Sequence, residues 1–126
     1  MSFARRVLQT AGIYGLVVLT PFFFMEDRIG RDYPPPITHA EYFYGFLSVA
    51  LAWQVMFLFM ARDPMRYRLL LIPALLEKIG FPVAAIVLLA QHRLPLSTFA
   101  ASMVDLLFAT LFLVAYGRLS RAENPA

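Results

Sequence analysis

The sequence contains no cysteine, which excludes disulfide bonds, thiolate catalysis and cysteine-ligated metal sites. Charged residues are also scarce, at 15% of the chain, and the net charge of +3 is scattered rather than gathered into a basic run. Nucleic acid is therefore not a predicted partner. The chain has no phosphate-binding loop, nucleophile elbow or cofactor fingerprint either, so we predict no cofactor and no metal site.

Apolar sequence is what the chain has in excess. Hydrophobic residues make up 60% of it, above the roughly 45–50% of soluble domains. A soluble protein of 126 residues has too little interior to bury so much apolar surface. The lipid bilayer is therefore the expected surrounding medium, and the length predicts a single integral membrane domain over residues 1–126.

The hydrophobic pattern predicts an all-α fold, a four-helix transmembrane bundle. The longest apolar run, 69–90, would form a helix about 33 Å long, enough to cross the ~30 Å hydrocarbon core of a bilayer. The four predicted spans are about 7–25, 41–61, 69–90 and 96–116. Residues 26–40 are predicted to form an outer loop, because charges, Gly30 and a run of three prolines interrupt the apolar pattern.

Arginines flank the predicted spans unevenly. Seven lie in the leader, in the turn between the second and third spans, and in the tail: Arg5, Arg6, Arg62, Arg66, Arg68, Arg118 and Arg121. The opposite loops carry three: Arg28, Arg31 and Arg93. By the positive-inside rule both termini should face the cytoplasm. We expect a multi-pass protein of the bacterial inner membrane.

Each predicted span carries a polar side chain at a similar depth. Counted from the cytoplasmic ends at ~1.5 Å per residue, these side chains lie about 10–16 Å into the membrane. Ionisable residues at such depths are costly, so they usually mark a site or a buried pair. The candidate ligand-binding residues are Glu77, Asp105, Lys78, Gln54, Tyr14 and Trp53.

Two interpretations of this polar layer stay open. In the first, Lys78 is neutralised by Glu77 or Asp105, and the layer is a structural polar core. In the second, two acids and one base leave one negative charge or one shared proton, which suits a proton or a cationic ligand.

Two segments carry a family resemblance: 12–36, GIYGLVVLTPFFFMEDRIGRDYPPP, and 50–57, ALAWQVMF. They resemble the EXPERA superfamily, which includes emopamil-binding protein (a sterol isomerase) and the sigma-two receptor. The family's opening helix ends in an acid before a proline-containing loop, and a later segment has an acid four residues before a Gln. Here Gln54 is present, but Ala50 stands where the acid would be. The chain is also similar to DoxX-like small bacterial membrane proteins, which share the four-span layout.

Three functions are compatible with these features. The leading hypothesis is a small integral membrane protein whose intramembrane polar pocket binds an apolar or amphiphilic small molecule. The second is a non-catalytic subunit of a membrane complex, whose polar layer is structural. The third, implied by the resemblance, is a sterol-isomerase-like enzyme using Glu77 and Asp27 as its acids. A second copy of the chain or another membrane protein stays open as a partner.

Overall fold

Helices make up the secondary structure of residues 2–123, the part of the chain that the computed structural model describes. The five α-helices of that part are α1 (Ser2–Leu19), α2 (Glu26–Asp32), α3 (Ala40–Met60), α4 (Leu71–Ala90) and α5 (Leu96–Glu123). Short 3-10 turns follow α1 at Thr20–Phe24 and precede α4 at Arg68–Leu70. No strand occurs among these residues.

Four helical stretches are long and apolar enough to cross a membrane. They are Ser2–Phe24, Ala40–Met60, Arg68–Ala90 and Leu96–Glu123. The predicted all-α, four-helix transmembrane class is therefore confirmed, and the protein is a multi-pass membrane protein in contact with the lipid bilayer.

The connection predicted as a loop at 26–40 contains a short helix, α2. Glu26 and Asp27 lie in its first turn and Arg31 in its last. The acids therefore lie at the positive end of the helix dipole and the arginine at its negative end, which stabilises the helix. Arg28 and Asp32 add an ion pair of 3.6 Å at i,i+4 spacing. These local charges stabilise a helix that the nearby proline run prevents from continuing.

The last helix extends beyond its predicted end at 116, because residues 117–123 continue α5. Leu119 is buried, so this turn of the helix still contributes an apolar contact to the core. The Arg118 guanidinium lies 4.2 Å from the centroid of the Phe3 ring, and Arg68 pairs with Glu123. Contacts with residues distant in sequence therefore stabilise the helix at 117–123, a segment whose polar sequence predicted a tail beyond the last span.

Close contacts divide the chain into two compact units. One is Gln9–Phe59, and the other joins the residues up to Leu8 to the chain from Met60 onward. In the second unit α4 packs against α5. The buried residues of α4 form a single stripe at helical spacing: Leu71, Ala74, Lys78, Pro82 and Ala85. A charged residue thus lies in the middle of an apolar stripe.

Two glycines bring α1 close to α3 within the Gln9–Phe59 unit. A Cβ on Gly12 would lie 2.8 Å from the Leu58 side chain and 2.9 Å from the Gln54 carbonyl oxygen. A Cβ on Gly15 would overlap the Gln54 side-chain amide. Small residues allow helix backbones this close in lipid, where the hydrophobic effect does not drive helices together.

We predict that Gly15→Ala destabilises the protein by about 1–3 kcal/mol, the cost of overpacking a filled site. The matched control is Gly45→Ala, because a Cβ there meets nothing within 4 Å. That change should be neutral or slightly stabilising, since alanine favours the helix over glycine. Thermal unfolding of the detergent-solubilised variants measures both effects.

Truncating the Gln54 side chain tests why Gly15→Ala destabilises the protein. In a Gln54→Ala background, Gly15→Ala should cost less because the overlapping group is gone. Gly12→Ala should destabilise the protein equally in the wild-type and Gln54→Ala backgrounds, because its Cβ also meets the Gln54 backbone oxygen at 2.9 Å. An equal cost of Gly15→Ala in both backgrounds would contradict the packing described.

Candidate functional site

Three of the predicted site residues form a charged triad between α4 and α5. Lys78 Nζ lies 3.6 Å from Glu77 Oε2 and 3.7 Å from Asp105 Oδ1. Lys78 is the only lysine of the chain and is 3% exposed, although the side chains of Glu77 and Asp105 are 22% and 28% exposed. The structure thus surrounds a buried ammonium group with two carboxylates that each keep an accessible edge.

The helical register explains this arrangement. Lys78 lies in the buried stripe of α4, so its stem points toward α5. Glu77 precedes it by one residue, about 100° around the helix, which places its carboxylate at the flank of the stripe. Asp105 lies on α5 between the buried residues Ser102 and Phe108, each three positions away. The face of α5 that packs on α4 therefore carries the second acid.

An aromatic ring completes the surroundings of the ammonium group. Lys78 Nζ lies 5.5 Å from the centroid of the Phe108 ring, within the ~6 Å range of a cation–π contact. Phe108 is not among the site residues predicted from the sequence. The available signal was its position three residues after Asp105 on the same helix, which places the two side chains on one face.

The triad can hold one more positive charge. The distances of 3.6 Å and 3.7 Å exceed those of direct hydrogen bonds, so the ammonium attracts both carboxylates without saturating either. Glu77 Oε2 is buried and has no hydrogen-bond partner among the described residues. Two carboxylates and one ammonium leave a formal charge of −1, which a proton or a cationic group could neutralise.

Gln54, Tyr14 and Trp53 belong to the other compact unit, Gln9–Phe59. Gln54 is 1% exposed, and its Nε2 donates a hydrogen bond to the Ala50 carbonyl at 2.9 Å. Its Oε1 has no hydrogen-bond partner within residues 2–123. Trp53 packs against Phe57 with ring centroids 6.1 Å apart, whereas Tyr14 is 37% exposed. A polar layer shared by all four spans stays a prediction.

Asp27, the second acid of the isomerase hypothesis, lines a separate cavity in the Gln9–Phe59 unit. This cavity of about 250 Å³ is bounded by Glu26, Asp27, Gly30, Arg31, Pro36 and Ile37. The Tyr44 hydroxyl donates a hydrogen bond of 2.9 Å to the neighbouring Glu26 carboxylate. The volume is below the 300–1,000 Å³ typical of small-molecule sites.

Comparisons of the chain with family models, curated proteins and solved structures found no match. The resemblances to EXPERA and DoxX-like proteins therefore stay predictions.

We predict that Lys78→Met destabilises the protein by about 3 kcal/mol, because the change leaves two carboxylates close together without their cation. This is the lower end of the range for breaking a buried ion pair, since both carboxylates are partly exposed. The matched control is Arg93→Met, which removes an exposed cation beyond the end of α4. Melting temperatures in detergent compare the two variants.

Removing the two acids as well should restore the stability that Lys78→Met loses. The triple variant Glu77→Gln, Lys78→Met, Asp105→Asn leaves no charge in the triad and should melt near the wild-type temperature. A Lys78→Met variant as stable as Arg93→Met would show that the ion pairs do not stabilise this unit.

Proposed function

We propose that the protein binds a cationic amphiphile in the membrane, with Glu77 and Asp105 holding the cationic head. The observation that carries this proposal is that two partly exposed carboxylates share one buried ammonium. This is the cationic form of the apolar or amphiphilic ligand that the sequence predicts.

Charge balance supports the proposal. Lys78 neutralises one of its two acidic neighbours, and the remaining negative charge lies on a surface that lipid would otherwise cover. Charges in a bilayer core cost several kcal/mol unless they are paired. A bound cation offsets that cost, because the attraction between opposite charges is strong in a medium of low dielectric constant.

The surroundings of the carboxylates suit an apolar tail. Leu76 lies beside Glu77 and is strongly exposed, and Leu106 and Leu107 follow Asp105 and are exposed as well. An amphiphile could therefore place its head at the triad while its chain lies along the apolar surface of α4 and α5. A simple inorganic cation would gain nothing from that surface.

The proposed setting is the bacterial inner membrane, with both termini in the cytoplasm. The support is the distribution of arginines, seven against three, about the ends of the four spans.

A structural role is the second candidate, favoured by the near-complete burial of Lys78. An ammonium group that is 3% exposed and has carboxylates from two helices can fix how α4 packs on α5. In that role the protein would be a non-catalytic subunit of a membrane complex, and the triad would need no ligand.

We predict saturable binding of dodecyltrimethylammonium to the protein in micelles of a neutral maltoside detergent. Because Lys78 is the only lysine, ¹⁵N-lysine labelling gives one side-chain NMR signal, which should shift as the probe binds beside it. The uncharged probe dodecyl glucoside, with the same chain, should leave that signal in place.

Carboxylate variants test which residues hold the head. Binding, followed as concentration-dependent thermal stabilisation, should weaken about tenfold or more in Glu77→Gln plus Asp105→Asn, because a charge-assisted contact is worth about 1.5–3 kcal/mol. Glu41→Gln plus Asp32→Asn removes two exposed carboxylates elsewhere and should bind as wild type. Two results together would instead favour the structural role. The wild type would not bind the probe, and the Glu77→Gln plus Asp105→Asn variant would be less stable than the wild type.

A further inference from the structure

The arginine end of the second unit is a concentrated positive surface. It comprises the arginines of the leader, of the turn before α4 and of the last turns of α5: Arg5, Arg6, Arg62, Arg66, Arg68, Arg118 and Arg121. All seven belong to the same compact unit, the one that joins the residues up to Leu8 to the chain from Met60 onward.

Side-chain contacts bring these three segments together. Arg5 Nε donates a hydrogen bond of 3.0 Å to the Ala61 carbonyl, and an Arg5 Nη donates to the Arg62 carbonyl at 3.4 Å. Arg118 lies over the ring of Phe3, which ties the end of α5 to the start of α1. The start of α1, the turn at 61–62 and the end of α5 therefore share one end of the unit.

Few acids oppose this charge. Within 2–8, 60–68 and 116–123 the carboxylates are Asp63 and Glu123. Glu123 pairs with Arg68, and Asp63 accepts a hydrogen bond of 3.3 Å from the Arg66 backbone N–H. All the arginines of this end except Arg68 are exposed. A surplus of guanidinium groups thus faces outward where the spans end.

We propose that the arginine end is a binding site for the phosphate groups of anionic lipids, with Arg5 and Arg118 as principal contacts. A guanidinium presents a planar fork of donors that matches phosphate in a bidentate geometry. Clusters of four to eight basic residues beside a membrane span attract anionic lipids. This inference does not depend on a ligand at the triad.

The contacts of Arg5 and Arg118 favour a defined site over a diffuse charge. Arg5 is held by two backbone carbonyls and Arg118 by the Phe3 ring, so less side-chain freedom is lost when a phosphate binds. Arg5 uses two of its five N–H donors on these carbonyls and keeps the rest for an acceptor. A lipid also supplies chains that can cover the apolar surface beside its headgroup, which a soluble phosphate cannot do.

The test is the association of spin-labelled phosphatidylglycerol, relative to spin-labelled phosphatidylcholine, with the full chain in phosphatidylcholine bilayers. We expect the wild type to prefer the anionic lipid severalfold. Replacing Arg5 and Arg118 with Gln should remove most of the preference, since each arginine near a membrane surface contributes up to about fivefold, or ~1 kcal/mol. Arg93→Gln, which removes an arginine at the other end of α4, should retain it.

A second variant and a competition experiment complete the test. If the variant at Arg5 and Arg118 fails to fold, Arg6→Gln plus Arg121→Gln removes two exposed arginines without disturbing the contacts of Arg5 or Arg118, and should lower the preference partly. Excess glycerol 3-phosphate should not displace the lipid. Equal association of both lipids with the wild type, equal loss in Arg93→Gln, or displacement by glycerol 3-phosphate would each overturn the proposal.

Discussion

The packing of α4 on α5 depends on the shielding of a single ammonium group. Lys78 occupies a position in the buried stripe of α4 where an apolar residue would be expected, and its Nζ has carboxylates at 3.6 Å and 3.7 Å from both helices. In lipid, water cannot solvate that charge, so the two acids must do so. The register of Lys78 on α4 and the position of Asp105 on α5 meet this requirement.

A second constraint operates in the Gln9–Phe59 unit, where packing rather than charge determines the approach of two helices. The Gln54 side chain occupies the space that Gly15 leaves, and its Nε2 donates back to its own helix at 2.9 Å. The Gln54 side chain thus packs against Gly15 in the contact between α1 and α3. The buried Oε1 is the cost of that fit, because it lacks a hydrogen-bond partner within the described residues.

Hydropathy predicts the four spans well, because a helix that crosses lipid must satisfy its backbone internally and be apolar along its length. Hydropathy does not predict helices in the more polar segments, where α2 and the last turns of α5 have contacts such as Arg28 with Asp32 and Arg118 with Phe3. Depth counting indicated the grouping of Glu77, Lys78 and Asp105, since rise per residue is nearly constant. It carries no information about side-chain directions, which is why Phe108 was not predicted.

The choice between lysine and arginine separates the two charged regions of the second unit. Its one lysine lies in the middle of a span, where a compact ammonium on a flexible stem can sit between two carboxylates. Arginines lie at the ends, where a broad guanidinium needs several acceptors and finds them in carbonyls such as those of Ala61 and Arg62. A guanidinium at position 78 would be a wider, planar group than the ammonium that lies between the two carboxylates and the Phe108 ring. An ammonium at position 5 would lose the fork that spans both carbonyls. The two regions therefore hold cations that are not interchangeable, because the shape of the cationic group and the arrangement of its acceptors differ between them.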